Sequence, residues 1–225
     1  MDAKIYALIG DPIEGTLSPP VMNAAFRSLG LNHGYVAVRV QASQLVDAVA
    51  GFRVMNVGGL SVTIPHKISV ITLLDGLDQS AVAAGAVNTI KSVRGKLVGF
   101  NTDGEGALRH LESKVGRVKG KKVLLVGAGG AARGIGFSLA KAGAELTVAN
   151  RTAAKARDLA SAIECKLRVD VGSMPMGRKP LKSALRKSDI LVNATSVGMK
   201  PDENRAGCVR CGACSAIMEV SEDLS

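Results

Sequence analysis

Val123-Leu-Leu-Val-Gly-Ala-Gly-Gly-Ala-Ala-Arg133 decides the fold of this chain. Its first four residues are an apolar, β-prone run without alternation, the pattern of a parallel strand covered by helices on both faces. Gly127, Gly129 and Ala132 then fit G-x-G-x-x-G/A, and a helical pattern continues through Ile135, Leu139 and Ala140 until Gly143 closes it. Strand, tight turn and helix in that order make a dinucleotide-binding loop. Small residues admit the backbone to a pyrophosphate, and the free N–H groups and positive dipole end of the new helix face the anion. Gly127, Gly129, Gly130 and Ala131 are the candidate phosphate cradle.

The chain has 225 residues, enough for one or two domains with a substantial core. No stretch approaches the ~18 uninterrupted apolar residues of a membrane-spanning helix, and the N-terminus lacks a signal-peptide profile. A soluble, cytoplasmic protein without membrane partners is expected. The net charge is +10, from 29 Lys and Arg against 19 Asp and Glu, which suits an anionic ligand. Nucleic acid is not the expected partner, because aromatic residues make up only 3% of the chain and the basic residues are scattered. Cys165 stands alone, and Cys208, Cys211 and Cys214 cluster near the end, unlike a distributed disulfide framework.

Outward from the glycine loop, β and α patterns alternate. A first strand is predicted at 4–9, ended by Gly10-Asp11-Pro12. Ser18 before Pro19 suits an N-cap with proline at the first helical position, opening a helix over 19–29. A strand over 35–40, a helix over 43–54 and a strand over 59–63 follow, and then Pro65 is read as opening another helix. Two strands, 86–93 and 96–100, flank a turn at Arg94-Gly95. Asp103 starts a helix to about Val115. The basic, glycine-punctuated stretch Gly116-Arg-Val-Lys-Gly-Lys-Lys122 precedes the nucleotide strand, so a substrate-binding domain is assigned to 1–103, a linking helix and hinge to 104–120, and a nucleotide domain to 121–202. Beyond the glycine-loop helix come a strand over 145–149, a helix over 152–163, a weak strand over 166–169, a helix over 181–187 and a strand over 190–193. The fold class is α/β: an N-terminal α/β substrate-binding domain and a Rossmann-like domain, with a cleft between them.

Asn150-Arg151-Thr152 stands where NAD sites carry an acid for the ribose 2′-hydroxyl and NADP sites a cation. Arg151 can pair with a 2′-phosphate through its planar fork, and Lys155, one turn on, adds a second charge. In Ser61-Val-Thr-Ile-Pro-His-Lys67 the lysine falls in the first turn of the helix read from Pro65. The positive dipole end would favour its neutral amine and let it exchange a proton near neutral pH. Asn101-Thr-Asp103-Gly is a good N-cap sequence, and Asp103 is also placed at the hinge to form an acid/base pair with Lys67.

Eight stretches in order, Gly10-Asp-Pro-Ile13, Ser18-Pro19, Ser61 to Lys67, Gly85-Ala-Val-Asn-Thr89, Gly99-Phe-Asn-Thr-Asp103-Gly, the glycine loop, Asn150-Arg-Thr152 and Ala194-Thr-Ser-Val-Gly-Met199, together resemble shikimate dehydrogenases. The likeness spans residues 3 to about 203. It implies NADPH-dependent reduction of 3-dehydroshikimate to shikimate, on the way to chorismate and the aromatic amino acids. Lys67 and Asp103 match the catalytic pair, and Thr16, Ser18, Thr63 and Asn88 match residues that hold the substrate carboxylate and hydroxyls. The resemblance puts Asn150, Arg151, Thr152 and Lys155 at the adenosine-phosphate site, counts Thr195 among the cofactor contacts, and implies no metal. A quinate/shikimate enzyme of broader specificity is an alternative, as is an inactive nucleotide-binding remnant; a monomer or homodimer is expected.

The chain departs from the family pattern in places. Gly15-Thr16 replaces His-Ser, Met22 a common His, and Ser61 a common Asn. After Asp202 the resemblance ends in a tail, 203–225, where Cys208-x2-Cys211-x2-Cys214 is like part of an iron–sulfur run without its fourth cysteine. A parallel sheet ending at the 190–193 strand would leave an unpaired edge.

Overall fold

The computed structural model describes residues 3–197 and the strand Ile217–Val220. The chain divides into two compact units, Met1–Thr102 and Asp103–Ser225.

In the first unit, β1 (Lys4–Gly10), β2 (His33–Arg39) and β3 (Gly59–Val62) are parallel, with β1 in the middle. Alternation along β1 sends Ala7 and Ile9 to one face, where they join Val49 and Phe52 of α2 (Leu45–Val54), and Leu8 to the other, against Phe26 of α1 (Ser18–Ser28). After the 3₁₀ segment Ser69–Leu73 come the two-residue strand β4 (Gly76–Leu77) and the short helix α3 (Gln79–Ala84). The hairpin β5 (Thr89–Val93) and β6 (Lys96–Phe100) then extends the sheet antiparallel from β3, giving the order β2-β1-β3-β5-β6-β4. Arg94 and Gly95 both have positive φ, 51° and 78°, as a two-residue primed turn requires. The outer edge at β2 is blunted by α1: Asn23 accepts from the Tyr35 amide and donates to the Tyr35 carbonyl, both at 2.8 Å, standing in for a neighbouring strand.

The second unit opens with α4 (Asp103–Val115). The strands β7 (Lys122–Val126), β8 (Glu145–Asn150), β9 (Gly172–Pro175) and β10 (Ile190–Asn193) follow, all parallel. The unbroken apolar run of β7 is buried on both faces, as its composition requires. Val123 and Leu125 meet α4, α5 (Gly130–Lys141) and α6 (Ala153–Leu167), while Leu124 and Val126 meet α7 (Arg178–Leu185). Each fully buried aliphatic side chain is worth about 1.5–3 kcal/mol, so this central strand is the thermodynamic centre of the unit.

Three sequence expectations are corrected here. Residues 166–169 are not a strand: α6 continues to Leu167 and ends on Arg168, which takes the left-handed conformation at φ 56° that glycine usually supplies, and the strand comes later, at β9. The helix expected over 181–187 lies earlier, with Pro180 accommodated in its first turn, where no amide donor is needed. Nor is the β10 edge unpaired. Strand β11 (Ile217–Val220) lies antiparallel along it, Ile190 opposite Val220 and Asn193 opposite Ile217, completing the order β11-β10-β7-β8-β9. Cys208, Cys211 and Cys214 lie outside the described residues.

Candidate active site

In the first unit the candidate substrate residues leave from the C-terminal ends of β1 and β3, which parallel pairing puts at one edge of the sheet. Thr16 and Ser18 form a local pair: the Thr16 hydroxyl accepts from the Ser18 amide and donates to the Ser18 hydroxyl, both at 3.3 Å. Ser18 is therefore not the N-cap expected from its sequence. Leu17 occupies that position, and Thr16 satisfies the first amide of α1 instead. With Thr16 donating to it, the Ser18 hydroxyl keeps its own proton for a further acceptor.

Thr63 follows β3 and packs so closely over Gly10 that a Cβ there would overlap the Thr63 methyl and come within 2.8 Å of the Ile64 carbonyl oxygen. The Thr63 amide donates to the Ile9 carbonyl at 2.9 Å, and the Asp11 amide to the Ile64 carbonyl at 2.8 Å, so the end of β1 and the Thr63 turn are one piece. Lys67 belongs to that turn. Pro65 opens no α-helix, and the Ser69–Leu73 3₁₀ segment begins only after Lys67, so the helix dipole expected behind this lysine is absent. Burial and backbone bracing fix it instead. Lys67 is 7% exposed, its carbonyl accepts from the Val87 amide at 2.7 Å, and the neighbouring His66 ring, 1% exposed, donates from Nε2 to the Val40 carbonyl at 2.6 Å. Lysine is seldom this buried unless its charge is paired. Val87 leads directly to Asn88, whose carbonyl accepts from the Val62 amide at 2.8 Å, so Thr63, Lys67 and Asn88 are held on a shared scaffold.

In the second unit three parallel strands deliver the candidate cofactor residues to a common edge. Thr195 follows β10, the glycine loop follows β7, and Asn150-Arg151-Thr152 closes β8. Neighbouring strands lie about 4.8 Å apart, so this row spans roughly 10 Å, the reach of an extended nucleotide rather than of a single phosphate. Gly127 has φ 118°, and a Cβ on it would come within 2.8 Å of the Ala194 carbonyl oxygen and 3.3 Å of the Thr195 methyl. That glycine is demanded by the protein itself. Gly129 is different: its φ is −82° and a Cβ there would meet nothing within 4 Å. The open space in front of α5, together with an N-terminus that has no side-chain cap, fits a pyrophosphate.

Arg151 and Lys155 are exposed and make no ion pair among the described residues, and the first turn of α6 contains no acidic side chain. Two cations at a positive dipole end fit an anionic group supplied by a ligand. Asn150 braces the turn by donating to the Thr152 carbonyl at 3.0 Å, and Thr152 is the N-cap of α6 without using its hydroxyl to cap. Thr195 is oriented by Asn193, whose Oδ1 accepts from its hydroxyl at 2.6 Å and its amide at 3.0 Å. Asp103 is the first residue of α4, so the sequence boundary of that helix holds, and Lys67 and Asp103 lie in different units.

Four supporting residues escaped the sequence reading: His66 and Asn101, both buried polar side chains, and Thr102 and Gly104 beside Asp103. Asn101 donates to the Ala86 carbonyl at 3.1 Å. Each lies inside a quoted motif, which was the available signal, but their roles depend on contacts between segments.

A Rossmann-like unit with a phosphate-ready glycine loop, joined to an α/β unit with a braced lysine turn, defines a two-unit nucleotide-dependent oxidoreductase architecture. Residues 8–90 match the family model described as shikimate dehydrogenase substrate binding domain, and residues 109–200 match shikimate / quinate 5-dehydrogenase. The shikimate dehydrogenase (NADP(+)) of Methanopyrus kandleri is 45% identical over 205 residues, 90% of this chain and 71% of that protein. A crystal structure of shikimate dehydrogenase in complex with NADP+ superposes with a TM-score of 0.81 at 41% identity, covering 94% of this chain and 71% of the other. The Thermus thermophilus enzyme in complex with NADP(H) and shikimate gives 0.78 at 34%, covering 91% and 72%. The chain belongs to the shikimate dehydrogenase family.

Proposed function

We propose that this chain catalyses the reversible NADPH-dependent reduction of 3-dehydroshikimate to shikimate, a step of aromatic amino acid biosynthesis. The observation that carries the reading is that the family match extends over both units, the substrate half at 8–90 and the nucleotide half at 109–200. When bound, NADPH supplies the hydride. The chain's own residues supply position and proton control. As the substrate carbonyl carbon is reduced, negative charge develops on its oxygen; Lys67 stabilises that oxygen, and Lys67 and Asp103 together manage the proton it acquires.

The Ser18 hydroxyl, with Thr16 donating to it, has its proton available for a carboxylate oxygen, and Thr63 and Asn88 present short side chains to ring hydroxyls. Arg151, with Lys155 beside it, takes the 2′-phosphate, and Gly129, Gly130 and Ala131 take the pyrophosphate. Because the family model names both shikimate and quinate, and Thr16 carries a methyl where serine is common, the deciding experiment compares the two polyols. Steady NADP⁺ reduction with shikimate and little with quinate is expected. Equal turnover of both would replace the assignment with the broader enzyme, and tight NADPH binding with no turnover of either would leave only a nucleotide-binding module.

A further inference from the structure

We propose that Gly104 is the positioning residue for Asp103, through a backbone-tight contact that seats the start of α4 on the glycine-loop helix α5. A Cβ built on Gly104 would overlap the Gly134 carbonyl oxygen and Ser138 Oγ, and would lie 2.7 Å from the Gly134 carbonyl carbon. The obstruction is mainly main chain, so no rotamer change relieves it. Gly104 is buried, lies inside α4 and has no positive φ, so its glycine is not explained by backbone conformation. As the second residue of α4 it gains nothing from glycine's conformational freedom, and close approach is what glycine provides here.

Gly106 supplies an internal contrast. It sits on the same helix two residues later, and a Cβ there would meet nothing within 4 Å. Of these two glycines, only the one that follows Asp103 is demanded by its surroundings. Gly134 lies one turn beyond Gly130, so the helix that presents the phosphate cradle also fixes the carboxylate at the head of α4. The cofactor cradle and Asp103 share one rigid frame.

This inference rests on the catalytic reading of Asp103, and a double-mutant cycle on the full-length chain separates the two. Turnover, NADPH dissociation constant and melting temperature are measured for Gly104→Ala, Gly106→Ala, Asp103→Asn and the double variant Gly104→Ala/Asp103→Asn. Gly104→Ala should lower kcat roughly 10- to 100-fold, the scale of a ~1 Å misplacement, with NADPH affinity held within about twofold. In the Asp103→Asn background the same change should cost less than about threefold, because residues that act as a unit are not additive. Gly106→Ala should leave kcat unchanged. Normal turnover in Gly104→Ala, an equal fold-loss in both backgrounds, or a loss of NADPH affinity that matches the loss of turnover would each overturn the proposal. Full activity in Asp103→Asn would instead remove the catalytic reading, and the proposal with it. Should Gly104→Ala fail to fold, Ser138→Val crowds the same contact from α5 and is read in the same cycle.

Discussion

The side chain of Asn88 grips Thr102: Oδ1 accepts from the Thr102 amide at 2.9 Å, and Nδ2 donates to the Thr102 hydroxyl at 2.8 Å. Asn88 is thus both a candidate substrate residue and a fastener for the last residue before Asp103. Each lost bond is worth about 0.5–1.5 kcal/mol, so Asn88→Ala should lower the melting temperature and also raise the KM for shikimate. Asn88→Asp keeps the acceptor for the Thr102 amide but loses the amide donor. It should recover much of the stability and little of the substrate affinity; calorimetry and initial rates on the two variants distinguish fastening from binding.

The proposed function gives Lys67 and Asp103 each an acid/base role. Lys67→Ala and Asp103→Asn should each lower kcat by roughly 10²-fold or more, the scale of a positioned acid/base group, with NADPH binding retained. Near-normal turnover in either would make that residue structural.

Features set by local chemistry were legible in the sequence, and those set by distant packing were not. The β5–β6 hairpin could be read because Arg94-Gly95 is itself the turn, and α4 because its start, Asn101-Thr-Asp103-Gly, signals a helix. The Lys67 turn was misread because Pro65 suits both a first helical position and a turn; the Lys67–Val87 and His66–Val40 bonds that decide between them join residues 20 and 26 apart. Strand β9, Gly172-Ser-Met-Pro175, carries almost no apolar pattern because it lies at the sheet edge, and its pairing with β8 is what makes it a strand. The glycine loop, the Asn150–Thr152 turn and Thr195 each stand in a motif of their own, whereas the seat of α4 on Gly134 and Ser138 involves no motif spacing at all.

The cations at the head of α6, without an ion pair among the described residues, bear on cofactor choice. Arg151→Ala should weaken NADPH by about 1.5–3 kcal/mol, the worth of a charge-assisted hydrogen bond, while leaving NADH nearly unchanged. Titration of both cofactors against parent and variant tests this, and equal losses for the two would remove Arg151 from the 2′-phosphate site.

Away from the site, Asp75 fastens β6 to the body of its unit. It accepts from Arg53 at 2.6 Å and from the Leu97 amide at 2.6 Å, and the Arg53 hydrogen bond, followed by that of Leu97, holds its carboxyl below the usual carboxylate range. A carboxyl with a depressed folded-state pKa contributes stability above its unfolded pKa and loses it as pH falls through the folded value. Asp75→Asn should therefore lower the melting temperature at neutral pH, and the gap from the parent should close as the pH is taken below about 4. A gap that stays constant across that range would mean the ion pair is not what stabilises the segment.

Strand β11 makes the last prediction. Its antiparallel pairing covers the outer edge of β10, four residues against four, from Ile190–Val220 to Asn193–Ile217. An exposed edge next to the buried Ile190 and Val192 would be a template for pairing with another chain. Deleting 203–225 should therefore lower the melting temperature of the second unit and produce concentration-dependent association, seen by light scattering. Hydrogen exchange on the full-length chain reads the same contact directly. Amides in 123–126 should exchange slowest, as expected for a strand buried on both faces, and pairing with β10 should slow exchange at 217–220. Uniformly fast exchange through 217–220, together with a truncated chain that associates no more than the parent and melts like it, would show that the edge of β10 does not depend on this strand.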